Sequence, residues 1–313
     1  MSRACVCQQA SAAGVSTSSR GRQHADTAAD GLRPLAGQVR EGAERADRCL
    51  REIIDAGAAS DADVAAAVRR VGEAGDMLSP ALLALEAKTA KFSQLAWGYI
   101  TRLASYDALS LQAFGAVATA LKAAVDGSGS DEHVLLRVLQ CIGACLQAHI
   151  LLSSRTAVCA LVEAALTLHA NKSTVMSNTA GATLRHGIST LFEFAADGAE
   201  APGPSSSTEF MDVAAAVASD LTLLTVGSAP QMLQVKAGGG GGGTELLCLD
   251  ILDTILREHG CMCMQHEAMR QALASVMIPW LLRQLEQNLA AKTRENRSPL
   301  VCAAAYCPVW TAP

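Results

Sequence analysis

DEHVLLRVLQCIGACLQAHILL, residues 131–152, decides the fold class. Leu135, Leu139, Ile142, Leu146 and Ile150 recur at steps of three and four, and Val138, Cys145 and His149 widen that stripe into a broad apolar face. Ser130 and Asp131 stand just before it with side chains suited to an N-cap. The spacing predicts a helix that must bury one side against another helix. A lone histidine near a helix end, such as His149, reads as a packed structural residue.

The same pattern recurs on both sides of this stretch. It predicts helices at about 37–56, 61–75, 79–87, 91–105, 107–125, 131–152, 155–170, 174–196, 208–226, 244–259 and 265–290. Breaks as short as GSGSDE (127–132), LSSR (152–155) and HANKST (169–174) join them, so successive helices pack as antiparallel neighbours. Many such helices in series make an all-α, armadillo/HEAT-like α-solenoid of antiparallel helix pairs, irregular because no strict repeat is visible. Residues 35–289 form the array, with flexible insertions at 197–208 and 227–243. Residues 1–34 read as a disordered leader and 290–313 as an irregular tail.

Composition narrows the function. Half of the 313 residues are hydrophobic but only 4% are aromatic, so the core is built from small and medium aliphatic side chains. A net charge of −5, with basic residues scattered, argues against a nucleic-acid partner. No apolar run approaches the ~20 residues of a membrane-spanning helix.

Six consecutive glycines, 238–243, precede the apolar segment TELLCLDILDTIL and invite a phosphate-loop reading. Thr244 and Glu245 follow them, no lysine is present and no strand precedes, so the requirements of both the Walker and the dinucleotide loops go unmet. Thr244 suits an N-cap, Glu245 the positive end of a helix dipole, and Leu247, Ile251, Leu252 and Ile255 a core face. Asp250 and Asp253 share a flank as paired acids might, and Thr179, Thr183 and His186 share a polar side. Solvated helix faces account for both groups, and nothing joins a nucleophile, a base and an orienting group. The expectation is no enzyme, no catalytic residues and no cofactor.

The eleven cysteines divide by position. Cys141, Cys145, Cys159 and Cys248 sit in apolar company and read as small buried hydrophobes. Cys261 and Cys263, with His259 and His266, form the one dense cluster, but Cys-Met-Cys at a helix–helix turn lacks metal-ligand spacing. A reduced cytosolic protein follows.

Four segments, in order, resemble the N-terminal half of the large Arf-guanine-nucleotide-exchange-factor family, closest to its monensin-sensitivity (MON-two) scaffold branch. VREGAERADRCL (39–50) is similar to an early amphipathic helix, and KFSQLAWGYITRLASYDALS (91–110) to a helix and its following turn. In HANKSTVMSNTAGATLRHGISTLFEFA (169–195) the family pattern stands as Asn178, Thr179, Ala180, Ala182, Thr183 and Arg185, ending at Phe192 and Glu193. ELLCLDILDTILREHGCMCMQHEAMRQALASVMIPWLLRQL (245–285) resembles the helix pair closing the family's first domain.

That domain is the dimerisation and cyclophilin-binding (DCB) domain. The resemblance implies an armadillo-like array that self-associates, binds Arf-like GTPases or family partners, and is cytoplasmic, peripheral to Golgi and endosomal membranes through those partners. The pattern of the catalytic Sec-seven domain is missing, so no exchange activity is implied, and no partner-binding residue carries over. Two other readings stay open. One is an armadillo/HEAT-type adaptor of another pathway such as nuclear transport, although Trp97, Trp280 and Trp310 fall at unrelated intervals. The other is a helical metal protein using His259, Cys261, Cys263 and His266.

Overall fold

A computed structural model describes residues 37–45, 47–48, 51, 77–127, 131–148, 154–200, 206–235 and 243–290, with the backbone alone at 198–200 and 206–209. The expected helix at 61–75, His149, Ile150, the 1–34 leader, most of the glycine run and residues 291–313 lie outside them. Every regular element among the described residues is a helix. After a helical stretch at 37–45 come α1 (Ser79–Glu86), α2 (Ala90–Ser105), α3 (Leu111–Asp126), α4 (Glu132–Leu146), α5 (Arg155–His169), α6 (Thr174–Glu200), α7 (Ser206–Thr225), α8 (Gly243–Gln265) and α9 (Glu267–Ala272). A π turn, Leu273–Met277, then leads into helix at 278–290.

The packing order is that of a solenoid. Each helix from α3 to α8 packs against the next in sequence, and helices two apart stack in rows: α2 on α4, α4 on α6, α6 on α8, and in the second row α3 on α5 and α7 on α9. The fold is an all-α array of antiparallel helix pairs. Its core holds Trp97, Phe114 and Phe192, each at most 1% exposed, among many Leu, Ile, Val and Ala side chains. On α4 the predicted stripe is buried as expected at Val138, Leu139, Ile142, Cys145 and Leu146. Gly187 shows how closely the rows approach: a Cβ there would lie 2.5 Å from Leu146 Cδ1, so α6 meets α4 where only hydrogen fits.

Capping sets the boundaries. Ser110, Asp131 and Ser154 accept hydrogen bonds from the backbone N–H of Ala113, His133 and Ala157, which starts α3, α4 and α5. The helix expected from 107 begins at Leu111. Asp107 takes φ 50°, and the Ala108 N–H donates to Leu103 O while the Asp107 N–H donates to Ala104 O, a Schellman stop that ends α2 first. Gly227, at φ 72°, ends α7 in the same way, with Ser228 donating to Leu223 O.

Three expectations are corrected. Thr244 does not cap α8, which already includes Gly243; it lies in the first turn, while Leu247, Ile251, Leu252 and Ile255 are buried as expected. The helix expected to end at 259 bends at His259 (φ −124°, ψ 21°) and continues to Gln265. The last predicted helix is broken by the π turn because Pro279 has no N–H to give Ser275 O; the Ile278 N–H reaches back to Leu273 O instead.

The expected insertions also differ in detail. Helix occupies both flanks of 197–208, since α6 runs to Glu200 and α7 starts at Ser206. Residues 227–235, expected to be flexible, are tied down. The Asp220 carboxylate, 1% exposed, accepts the N–H groups of Gln231, Met232 and Leu233 at 2.7–2.8 Å, and Glu163 Oε1 accepts that of Gln234 at 2.7 Å. The segment thus bridges α7 and α5, which do not pack substantially on each other.

Candidate functional site

The bridging segment shapes one open hollow among the described residues. A groove of about 680 Å³ runs between α3 and α5 and is closed on one side by Met232 and Gln234. Small residues such as Gly115, Ala118, Ala157 and Ala160 form its floor, because α3 and α5 stack through them. Charge is balanced at its rim. Lys122 Nζ stands 3.6 Å from Glu163 Oε2 and 3.3 Å from Gln234 Oε1, and the Arg155 side chain lies against Met232. Cys159 is the one thiol lining it. Burial pushes that thiol above its ordinary range, with the Glu163 and Asp220 carboxylates adding to the rise and Arg155 opposing it. A neutral thiol is a poor nucleophile, and the Glu163 carboxylate already accepts the backbone N–H of Gln234.

Another hollow, about 590 Å³, lies at the start of α8 beside Gly243 and Thr244. His169 fills one wall, its Nδ1 3.0 Å from Ser177 O and its Nε2 3.4 Å from Gly243 O, joining the end of α5 to the starts of α6 and α8. Arg185 also lines the hollow, but its guanidinium is hydrogen-bonded to Asp250. An anion entering this hollow would meet Arg185 with the Asp250 carboxylate already beside it.

The residues singled out in sequence are separated in space. Asp250 pairs with Arg185 and Asp253 with Arg257 at 2.8 Å, so the two acids hold surface ion pairs. The Thr179 hydroxyl donates to Val175 O within its own helix, Thr183 lies near Gly143 of α4, and His186 is exposed. The histidine–cysteine cluster disperses too. His259 stacks on Phe192 with ring centroids 5.8 Å apart, His266 Nε2 lies 3.0 Å from Asp212 Oδ1, Cys261 is exposed and Cys263 is buried. Among the described residues no three His, Cys, Asp or Glu side chains gather as a metal site would require.

Cys141, Cys145, Cys159 and Cys248 are buried, as their apolar surroundings predicted. Hydrogen bonding to Cys141, then burial, raises Cys145 well above the usual thiol range, and burial pushes Cys248 up to about 12. The sequence reading missed Asp220 and Glu163. The available signal was an acid inside each of two otherwise apolar faces, AVASDLTLL and ALVEAALTL.

A family model described as Mon2/Sec7/BIG1-like, dimerisation and cyclophilin-binding domain matches residues 35–197. The chain belongs to this family. No curated protein and no solved structure matches it. The DCB match runs from the 37–45 helix through most of α6. It includes the Asn178–Arg185 motif, whose Ala180 is fully buried and whose Arg185 ties α6 to α8. The family's description is that of a dimerisation and binding domain. No helix among the described residues is long and apolar enough to cross a membrane.

Proposed function

We propose that this chain is a non-catalytic scaffold of Golgi and endosomal vesicle traffic, self-associating and binding Arf-like GTPases or other members of its family. On this reading it is cytoplasmic and meets membranes peripherally, through those partners. The DCB match over residues 35–197 is the observation that carries the proposal. The open groove between α3 and α5 supports it by offering contact surface on helices inside the matched region.

Capture on the immobilised full chain tests the partner. Purified Arf-like GTPases, loaded with GDP or with a GTP analogue, are passed over it and binding is followed by interferometry. Saturable binding of at least one GTPase, with its rate of nucleotide exchange unchanged, is the expected result. Accelerated exchange contradicts the non-catalytic role, and failure of every GTPase and family protein to bind contradicts the scaffold.

A further inference from the structure

The last helix carries two apolar faces, and the core takes only one. Met269, Leu273 and Met277 are buried, and among the described residues Trp280 is the last side chain packed against the core. Helix nevertheless continues to residue 290, another 15 Å or so at ~1.5 Å per residue. On it Ile278, Leu281, Leu282 and Leu285 are spaced i, i+3, i+4 and i+7 and are 52%, 37%, 56% and 58% exposed. Single exposed aliphatics are ordinary, but four on one stripe mark a helix face built to be covered.

The charges around the stripe say what covers it. Its neighbours Gln284, Gln287 and Asn288 are amides, and Arg283 and Glu286 bring one charge of each sign, so the arm is neutral. An anionic membrane surface calls for lysines and arginines beside such a stripe, and here one arginine is offset by a glutamate. A second copy of the same arm meets no like charge, and antiparallel pairing about a two-fold axis brings Arg283 of each copy beside Glu286 of the other.

We infer that residues 278–290 form a self-association arm, in which Leu281, Leu282 and Leu285 pack against the same residues of a second copy. The inference rests on the self-associating scaffold proposed above and assigns its surface. The area is small, roughly 300 Å² a copy against about 800 Å² in a standard interface. The arm therefore makes a reversible, concentration-dependent dimer.

The test compares the full chain with the Leu282→Gln/Leu285→Gln variant by light scattering over two decades of concentration, with circular dichroism as the folding control. The expected result is a mass that rises with concentration in the parent and stays at the monomer in the variant, with equal helicity. Arg283→Glu weakens the dimer and Arg283→Glu/Glu286→Arg restores it. A photo-crosslinker at position 285 is expected to join two chains through the arm.

Each contrary result has its own meaning. A parent chain monomeric throughout overturns both the arm and the self-association reading. A parent and a variant that dimerise equally overturn the arm alone. A crosslink confined within one chain, or vesicle binding that the variant loses, replaces the second copy with a different occupant and overturns the inference.

Discussion

Asp220 does at the residue scale what no regular element could. Its buried carboxylate gathers three consecutive backbone N–H groups of a segment lying eleven to thirteen residues further along the chain. Replacing it with alanine leaves those donors without their partner and frees the wall of the α3–α5 groove. Asp220→Ala is expected to cost about 2–4 kcal/mol, a value typical of a lost buried network of charge-assisted bonds. Urea unfolding reads it as a lower midpoint at unchanged slope. An undiminished midpoint would mean that the segment is held by other contacts.

The thiols set an alkaline limit. Burial holds Cys248 at about 12, above the ordinary 9.0, so folding favours its protonated form. That contribution is complete below pH 9 and is lost as pH rises from 9 toward 12, because the unfolded chain ionises first. Thermal melts are therefore expected to fall progressively above pH 9, and a Cys248→Ala variant to show a shallower decline. Among the described cysteines, the exposed Cys261 is expected to react first with a thiol reagent at neutral pH. Early modification of Cys248 would contradict the packing.

At the scale of elements, α3, α4 and α5 begin where a side chain takes up an orphan N–H, and α2 and α7 end where φ turns positive. Ser154 accepts from Ala157 at the start of α5, and Ser154→Ala is expected to lower stability by about 1 kcal/mol. Asp107 is the non-glycine counterpart of Gly227 at a Schellman stop. Asp107→Gly is expected to gain up to about 1 kcal/mol by relieving the left-handed conformation, read from the same urea curves. A loss there would place the value of Asp107 in contacts of its side chain.

Much of this was legible in the sequence. The period of the apolar residues gave the stripe on α4, and small polar residues before it marked the cap at Asp131. The stop at Asp107 was hidden because aspartate carries no fixed signal for positive φ. The start of α3 was therefore placed four residues early. The π turn was hidden for a different reason. A proline inside an apolar period signals a break, but whether the helix stops or widens depends on what packs beside it. The clamp at Asp220 and Glu163 joins residues far apart in sequence, and no local pattern reports such a meeting. The separation of His259, Cys261, Cys263 and His266 follows from the bend in α8, which spacing alone does not show.

On the scale of the whole molecule, the family match and the structural unit end in different places. The match stops at residue 197, yet α6 packs on both α7 and α8 as well as on α4 and α5. A chain cut at 197 would leave that side of α6 uncovered. It is expected to lose cooperative thermal unfolding and to bind a hydrophobic dye, whereas a chain ending at 290 keeps both native traits. A sharp melt from the shorter chain would show that α7 to α9 are an appendage.

A helical array of this kind works by holding surfaces in fixed relation, and on the proposed function those surfaces bind proteins, beginning with a second copy of the chain. Sedimentation equilibrium of the full chain across a wide range of concentration tests this most directly. The account predicts a weight-average mass that climbs reversibly from the 32.4 kDa of one chain toward twice that value. A mass fixed at 32.4 kDa at every concentration would contradict it.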